Sequence, residues 1–189
     1  MSDESRQAQE TLDYIRKTME SASSFTAVSG WGMLAVGTIG LAASAFASQI
    51  GDPAALRIWL PTATLAIAIS MIANAGKAKR LGLPLWSGTF RKVAWVMAPM
   101  LAAGAMVTFA LQHAGADELL SGTWLAMYGA GVTAGGTLSV RAIRWMGMAM
   151  LLLGLVAFLR PEWGAILLAL GFGIMHLAFG ARLVTRHGG

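Results

Sequence analysis

Cysteine is absent from this sequence of 189 residues, and only 12% of the residues are charged. The first absence excludes disulfides, thiolate metal sites and cysteine nucleophiles. The second excludes an ordinary soluble globule, in which roughly 25% of the residues carry a charge. Apolar residues instead make up 56% of the chain, and the mean hydropathy is +0.62. The composition therefore predicts an integral membrane protein.

Six segments free of Asp, Glu, Lys and Arg follow one another along the chain. A bilayer core about 30 Å thick needs roughly 20 apolar residues of helix to cross it. The predicted spans cover residues 28–48, 58–76, 93–116, 119–140, 145–159 and 163–181. The fifth is the shortest, even when Ile143 and the snorkelling arm of Arg144 extend it, and is the first candidate for a re-entrant segment. We predict an all-α integral membrane bundle of six transmembrane helices.

The basic residues give the expected orientation. With a cytoplasmic N-terminus, 12 of the 14 Lys and Arg residues fall in inner segments, and only Arg57 and Arg160 fall in outer loops. Positive charges are retained on the cytoplasmic side, so both termini are predicted to lie there. The same charges attract anionic lipid, so the bilayer is the expected partner and nucleic acid is not.

Tryptophan follows the same map. Aromatic rings with one polar N–H settle at the level of the lipid headgroups. Six of the seven tryptophans begin a predicted span and are interpreted as interface anchors: Trp31, Trp59, Trp95, Trp124, Trp145 and Trp163.

An amphipathic pattern precedes the first span. Ala8, Leu12, Ile15, Met19 and Ala22 recur at helical spacing, with charged residues on the other face. This pattern predicts a short cytoplasmic helix that docks on the protein itself, on the bilayer or on a cytoplasmic protein partner. The predicted organisation is residues 1–27 for this helix and its linker, 28–182 for the bundle and 183–189 for a short cytoplasmic tail.

Small residues dominate the fourth predicted span. Gly131 and Gly135 form a GxxxG pair, and Gly129 and Gly136 belong to a second small stripe. In lipid, helices associate through close backbone approach, which small residues permit. We predict that this span is central in the bundle and that these four glycines pack against neighbouring helices.

Polar side chains within the spans are few, and Asn74, Tyr128 and His176 are the candidates for a functional or structural role. Such residues are costly in hydrocarbon and are functional candidates by default. His176 is interpreted either as a hydrogen-bonding strut, with Asn74 as the expected partner, or as a ligand-binding, proton-transferring or catalytic group. No Asp or Glu lies within a span, which argues against a proton-coupled transporter. Neither a metal nor a cofactor is predicted.

An intramembrane protease of the rhomboid type is the sharpest enzymatic alternative, because such enzymes have a nucleophile in helix 4 and a histidine in helix 6. The fourth span here offers Thr133, Thr137 and Ser139, but it lacks the G-x-S-x motif. A nucleophile without an adjacent base is inert. No catalytic residue is therefore predicted, and the chain is expected not to be an enzyme.

Six segments form a recognisable set: residues 14–20 (YIRKTME), 24–32 (SFTAVSGWG), 122–131 (GTWLAMYGAG), 139–141 (SVR), 171–180 (GFGIMHLAFG) and 186–189 (RHGG). Together they resemble a family of small bacterial six-helix inner-membrane proteins with no established activity. The resemblance covers most of the chain. It implies a multi-pass protein of the bacterial inner membrane and leaves the mechanism open.

Three function classes stay open. The predicted one is a sensor, scaffold or accessory protein that acts through its cytoplasmic face. The alternatives are a small-solute or ion transporter that works as a homo-oligomer and, more remotely, an intramembrane enzyme. A file of polar residues facing one cavity would favour transport, whereas a dry core with an exposed cytoplasmic face would favour the sensor or scaffold.

Overall fold

The computed structural model describes residues 3–22, 28–50, 56–82, 84, 86 and 88–187. These residues contain helices and no strand, so the protein is all-α, as predicted. Residues 23–27 of the predicted linker and residues 188–189 of the predicted tail lie outside the described residues.

The described residues form seven main helices. They are α1 (Asp3–Ala22), α2 (Gly30–Ile50), α3 (Leu56–Arg80), α4 (Gly88–Ala114), α5 (Leu120–Gly136), α6 (Arg141–Leu159) and α7. The last helix, α7, has three continuous parts: an α-helical Gly164–Leu168, a π-helical Ala169–Met175 and an α-helical His176–His187. Single 3₁₀ turns, Asp117–Leu119 and Pro161–Trp163, precede α5 and α7.

Five of these helices are long and apolar enough to cross a membrane: α2, α3, α4, α6, and α7 with its preceding turn. The helix of the fifth predicted span, α6, has 19 residues and is not the shortest. The shortest is α5, with 17 residues, or about 26 Å of helix. It ends at Gly136, where the chain turns through residues 137–140, although the sequence predicted a span as far as residue 140.

Capping residues set several of the helix ends. Ser29 precedes α2, and its Oγ accepts the N–H of Gly32 at 3.2 Å, as an N-cap does. Gly82 and Gly115 follow α3 and α4 with φ of 67° and 68°, the left-handed region that favours glycine. After α4, the N–H of Ala116 also donates to Leu111 O at 2.9 Å, which satisfies a carbonyl of the last turn.

The central helix is α5, which contacts α4, α6 and α7. The buried core lies between α5, α6 and α7 and comprises Leu125, Met146, Met150, Ala157 and Leu167. Backbones of α5 and α6 approach closely at Gly129 and Gly147. A Cβ built on Gly129 would lie 2.9 Å from Gly147 O, and one built on Gly147 would lie 2.8 Å from Gly129 O. Only glycine fits at this crossing.

The GxxxG pair faces another neighbour. A Cβ on Gly131 would lie 3.0 Å from Met97 Sδ, and one on Gly135 would lie 3.4 Å from Val93 Cγ1. Both contacts are with side chains of α4, which can move. The tight crossing of α5 with α6 therefore uses the second stripe of small residues, which contains Gly129 and Gly136. A Cβ on Gly136 would lie 2.6 Å from Arg144 N of α6.

A second close crossing joins α2 to α7. A Cβ on Gly37 would lie 2.8 Å from Leu177 N, and one on Gly40 would lie 2.5 Å from Phe172 O. On its other side α2 contacts α3, whose apolar membrane-length window contains no buried residue. The bundle thus has a group formed by α2 and α3, a group formed by α4, α5 and α6, and α7 between them.

Candidate functional site

A cavity of about 200 Å³ lies between the α2–α3 group and the α5–α6 pair, with α7 also on its wall. Five helices contribute to its lining. The lining residues with polar side chains are Ser29, Ser70, Asn74, Tyr128 and His176. All three polar residues singled out from the sequence, Asn74, Tyr128 and His176, therefore meet at one cavity, together with two serines that the sequence analysis did not single out.

The cavity lies toward one end of the bundle, which we call the basic end. This end holds Lys77, Lys79 and Arg80 at the close of α3, and Arg91 and Lys92 at the start of α4. The two helix ends meet there, because Ala78 and Phe90 form a small buried cluster.

Asn74 reaches the cavity because α2 and α3 cross closely. A Cβ on Gly32 would lie 2.7 Å from the Ala73 Cβ, so glycine is needed for this approach. The crossing lets Asn74 Oδ1 accept the backbone N–H of Ser29 at 2.8 Å. Ser29 is 2% exposed, and its N–H precedes the first turn of α2, where no backbone carbonyl of the helix is available. Asn74 therefore fixes the start of α2 against α3.

His176 is held from two sides. Its Nδ1 lies 3.1 Å from Gly171 O, and its Nε2 lies 3.0 Å from the Tyr128 hydroxyl. Because a carbonyl oxygen can only accept, Nδ1 carries a hydrogen and donates it to Gly171 O. A neutral ring costs less to bury than a charged one, so Nε2 accepts from the Tyr128 O–H. His176 is 3% exposed, and both of its ring nitrogens are satisfied.

The π-helical part of α7 creates the His176–Gly171 contact. Residues Ala169–Met175 form this segment, and Gly171 lies five residues before His176. A π-helical turn holds an additional residue and is frequently found at functional sites. The wider turn presents the Gly171 carbonyl to an imidazole ring of the same helix, which then points across to α5.

The expected partnership between His176 and Asn74 is wrong. The observed side-chain partner of His176 is Tyr128, and Asn74 bonds to the backbone of Ser29. The predicted spans place Asn74 and His176 at similar depths, which is why the sequence indicates a contact between them. Which neighbour each side chain faces depends on how the helices are rotated against one another and on the π-helical segment. The sequence pattern indicates neither.

Aromatic rings support the Tyr128–His176 pair. Phe172 lies one turn before His176, and the centroids of these two stacked rings are 6.1 Å apart. Phe172 also lies 5.1 Å from the ring of Tyr128 and 5.9 Å from that of Trp59. Trp59, predicted as an interface anchor, is therefore half-buried against the bundle.

The other predicted anchors divide into two groups. Trp31, Trp95, Trp145 and Trp163 have exposed rings. Trp124 instead packs on α4, where a Cβ built on Gly104 would lie 3.2 Å from its ring. Anchoring at a membrane interface stays a prediction for all six tryptophans.

A buried lysine lies beside the cavity at the basic end. Lys77 is 4% exposed, and its Nζ donates to Val28 O at 3.1 Å. Val28 itself lines the cavity. In the sequence Lys77 is one of the 12 basic residues that indicate the cytoplasmic side, and its burial is not predicted, because a lysine at a helix end usually reaches water.

Two of the hydroxyl groups considered as nucleophiles of a protease form hydrogen bonds within their own helix or turn. Thr133 Oγ1 donates to Gly129 O at 2.7 Å, and Thr137 Oγ1 donates to Ala134 O at 2.6 Å. In the part of the chain that the structure describes, no group of three or more His, Asp or Glu side chains could hold a metal ion.

The site can therefore form hydrogen bonds to a ligand through Ser70 and Asn74, on a wall that is otherwise largely apolar. The Tyr128–His176 pair lies on the same cavity. Comparison of the chain with family models, with curated proteins and with solved structures finds no match. The family resemblance of the sequence therefore stays a prediction.

Proposed function

We propose that this protein is a non-enzymatic sensor of the bacterial inner membrane, which binds a small molecule in the cavity and acts on a partner through its cytoplasmic face. The observation that carries the proposal is the cavity, whose polar lining comes from the N-cap of α2 and from α3, α5 and α7 at the basic end. A ligand that touches all of these helices would favour one arrangement of their ends over another. The signal would then emerge on the side where the basic residues lie.

The proposed topology has six spans with both termini in the cytoplasm. Support for the sixth comes from the 3₁₀ turn Asp117–Leu119, which continues directly into α5 and lengthens its 17 residues by one turn. The basic end would face the cytoplasm by the positive-inside rule. The bacterial origin rests on the family resemblance of the sequence.

Reporter fusions test this topology. Fusions at Gly51, Gly115 and Pro161 are expected to report the outside, and fusions at Gly82 and Ser139 the cytoplasm, as is one at Gly188. Five basic residues flank Gly82 in the connection between α3 and α4, and moving them across the membrane would be costly. A periplasmic signal at Gly82 would contradict the proposed orientation.

The surface proposed to meet a partner is the apolar side of α1. Leu12 is 65% exposed and Ile15 is 47% exposed. On a helix these residues lie three apart and share one face. An exposed apolar stripe on a helix that precedes the first span is suited to a groove on another protein.

Affinity purification from native membranes tests the sensor proposal. We expect a soluble protein to co-purify with the full-length chain and to be lost when Leu12→Glu places a charge on the stripe. Glu10→Gln, which changes an exposed residue on the opposite side, serves as the matched control and should retain the partner. Equal recovery of the partner with both variants would contradict docking on the stripe.

A transporter is the second candidate, favoured by the five polar side chains that face one cavity. As a transporter the protein would work as a homo-oligomer, and the exposed face of α3 is where a second copy would pack. Solute flux through proteoliposomes distinguishes the two functions. A sensor is expected to bind without flux, whereas ligand-dependent flux abolished by Ser70→Trp would favour the transporter.

A further inference from the structure

The cavity carries hydrogen-bond donors that no protein group uses. Asn74 Oδ1 is occupied by the Ser29 N–H, but within the described residues the Asn74 amide N–H groups have no acceptor. Ser70 likewise makes no hydrogen bond within the described part of the chain, although its hydroxyl lines the same wall four residues earlier on α3. Because residues four apart share a helix face, both groups donate from one side of the cavity.

The other polar lining residues, Ser29, Tyr128 and His176, already hydrogen-bond to groups of the protein. The rest of the lining is apolar. It comprises Val28, Met33, Val36, Val132, Ile143 and Met146, with Gly32 between them. No Asp, Glu, Lys or Arg side chain is among the described residues that line the cavity. Lys77 lies beside the cavity, but it does not line it, and its ammonium donates to Val28 O. An ionised ligand would therefore lose its hydration without touching an opposite charge on the lining. The lining therefore selects a neutral ligand with a hydrogen-bond acceptor.

The size of the cavity limits the ligand further. An apolar cavity of about 150 Å³ in another protein binds benzene, and pockets for drug-sized ligands span roughly 300–1,000 Å³. At about 200 Å³, this cavity suits a single substituted ring and is too small for a whole lipid. Any long tail of a ligand would therefore have to lie outside the cavity.

We propose that the cavity binds a neutral ring compound that bears a carbonyl group, such as a quinone head group, with the carbonyl oxygen accepting from Asn74 and Ser70. This inference rests on the proposed function, because it names the class of ligand that the sensor would bind. The ring lies against Met33, Val36 and Met146. The ester group of a neutral lipid also offers a carbonyl oxygen. The experiment must therefore distinguish a ring ketone from a lipid ester as the ligand.

Calorimetric titration of the purified full-length protein in detergent tests the proposal with two ligands of matched shape. Duroquinone carries two ring carbonyls, and hexamethylbenzene replaces both oxygens with methyl groups. We expect duroquinone to bind and Ser70→Ala to weaken its affinity about tenfold, as the loss of one hydrogen bond would. We expect the affinity for hexamethylbenzene to be the same in both proteins.

Ser44→Ala is the matched control, because Ser44 is a buried serine outside the cavity whose hydroxyl donates to Gly40 O. It should leave the affinity for duroquinone unchanged. Val36→Phe should fill the cavity and abolish binding of both ligands, and thermal melting of each variant shows whether it folds. If Val36→Phe fails to fold, the comparison of Ser70→Ala with Ser44→Ala still decides the question.

Monoolein, a neutral ester, distinguishes the source of the carbonyl. If monoolein displaces duroquinone, and if Ser70→Ala weakens the affinity for both ligands by the same factor, the carbonyl-binding site is supported and a lipid ester is its ligand. Absence of duroquinone binding, or equal affinity for the wild-type and Ser70→Ala proteins, would overturn the inference. A partner that still co-purifies in a Leu12-dependent way would then leave the proposed sensor standing without this ligand class.

Discussion

Gly147→Ala is expected to destabilise the bundle by roughly 1–3 kcal/mol, the usual cost of overpacking a tight contact. The new methyl group would lie 2.8 Å from Gly129 O and would also meet Thr133. Both obstacles include backbone of α5, which cannot move without separating α5 from α6. The measurement is the thermal or denaturant-induced unfolding of the purified protein in detergent.

Gly135→Ala is the matched control for this prediction. It adds the same methyl group to a helical glycine, but the nearest atom would be Val93 Cγ1 at 3.4 Å, an acceptable contact. Alanine favours helix by up to about 1 kcal/mol over glycine, so this variant is expected to be neutral or slightly stabilised. Equal destabilisation of the two variants would contradict the placement of the tight crossing at Gly129 and Gly147.

His176→Leu is expected to lower stability by roughly 1–2 kcal/mol, because it leaves the Tyr128 hydroxyl and the Gly171 carbonyl without a partner. His176→Gln keeps one donor and one acceptor at similar reach and should melt close to the wild-type protein. The Tyr128→Phe variant removes the other half of the pair. In a double-mutant cycle, Tyr128→Phe and His176→Leu should couple, since both remove the same hydrogen bond.

The same variants separate a structural role from a functional one. If the histidine is a strut, His176→Gln should also retain partner binding and ligand binding. A stable His176→Gln protein that has lost either activity would show that the imidazole itself is required. Purely additive effects in the double-mutant cycle would contradict the Tyr128–His176 hydrogen bond.

The sequence predicts the all-α class and most of the membrane-length helices, because a bilayer imposes both length and apolarity on each span. It predicts the lengths of α5 and α6 less well. A charge-free window counts residues up to the next charge and does not detect the turn at Thr137, so the fourth span is predicted too long. The fifth is predicted too short because Arg141 and Arg144 belong to the helix.

Helix packing is predictable only in part. The sequence shows that α5 has small residues on several faces, and the helix does have several neighbours. It does not show which neighbour each face meets. The GxxxG spacing drew attention to Gly131 and Gly135, whereas the backbone crossing uses Gly129 opposite Gly147 of α6. That pairing depends on the relative rotation of two helices and not on spacing within one of them.

The candidate site, too, could be predicted from the sequence only in part. The cost of polar groups in hydrocarbon identified Asn74, Tyr128 and His176 before the fold was known. Ser29 and Ser70 escaped attention because a serine in a membrane helix can satisfy its hydroxyl on its own backbone, as Ser44 does. Only the packing of α3 against α2 shows that Ser70 faces the cavity.

The central claim is that an accessible polar cavity lies within the bundle. The reactivity of a single introduced thiol tests this claim most directly. The chain has no cysteine, so Ser70→Cys and Ser44→Cys each introduce the sole thiol. In intact membranes, N-ethylmaleimide is expected to modify the Ser70→Cys protein and to spare the Ser44→Cys protein, while both react after denaturation in detergent. An unreactive Ser70→Cys protein in membranes, or equal modification of the two variants, would contradict the account.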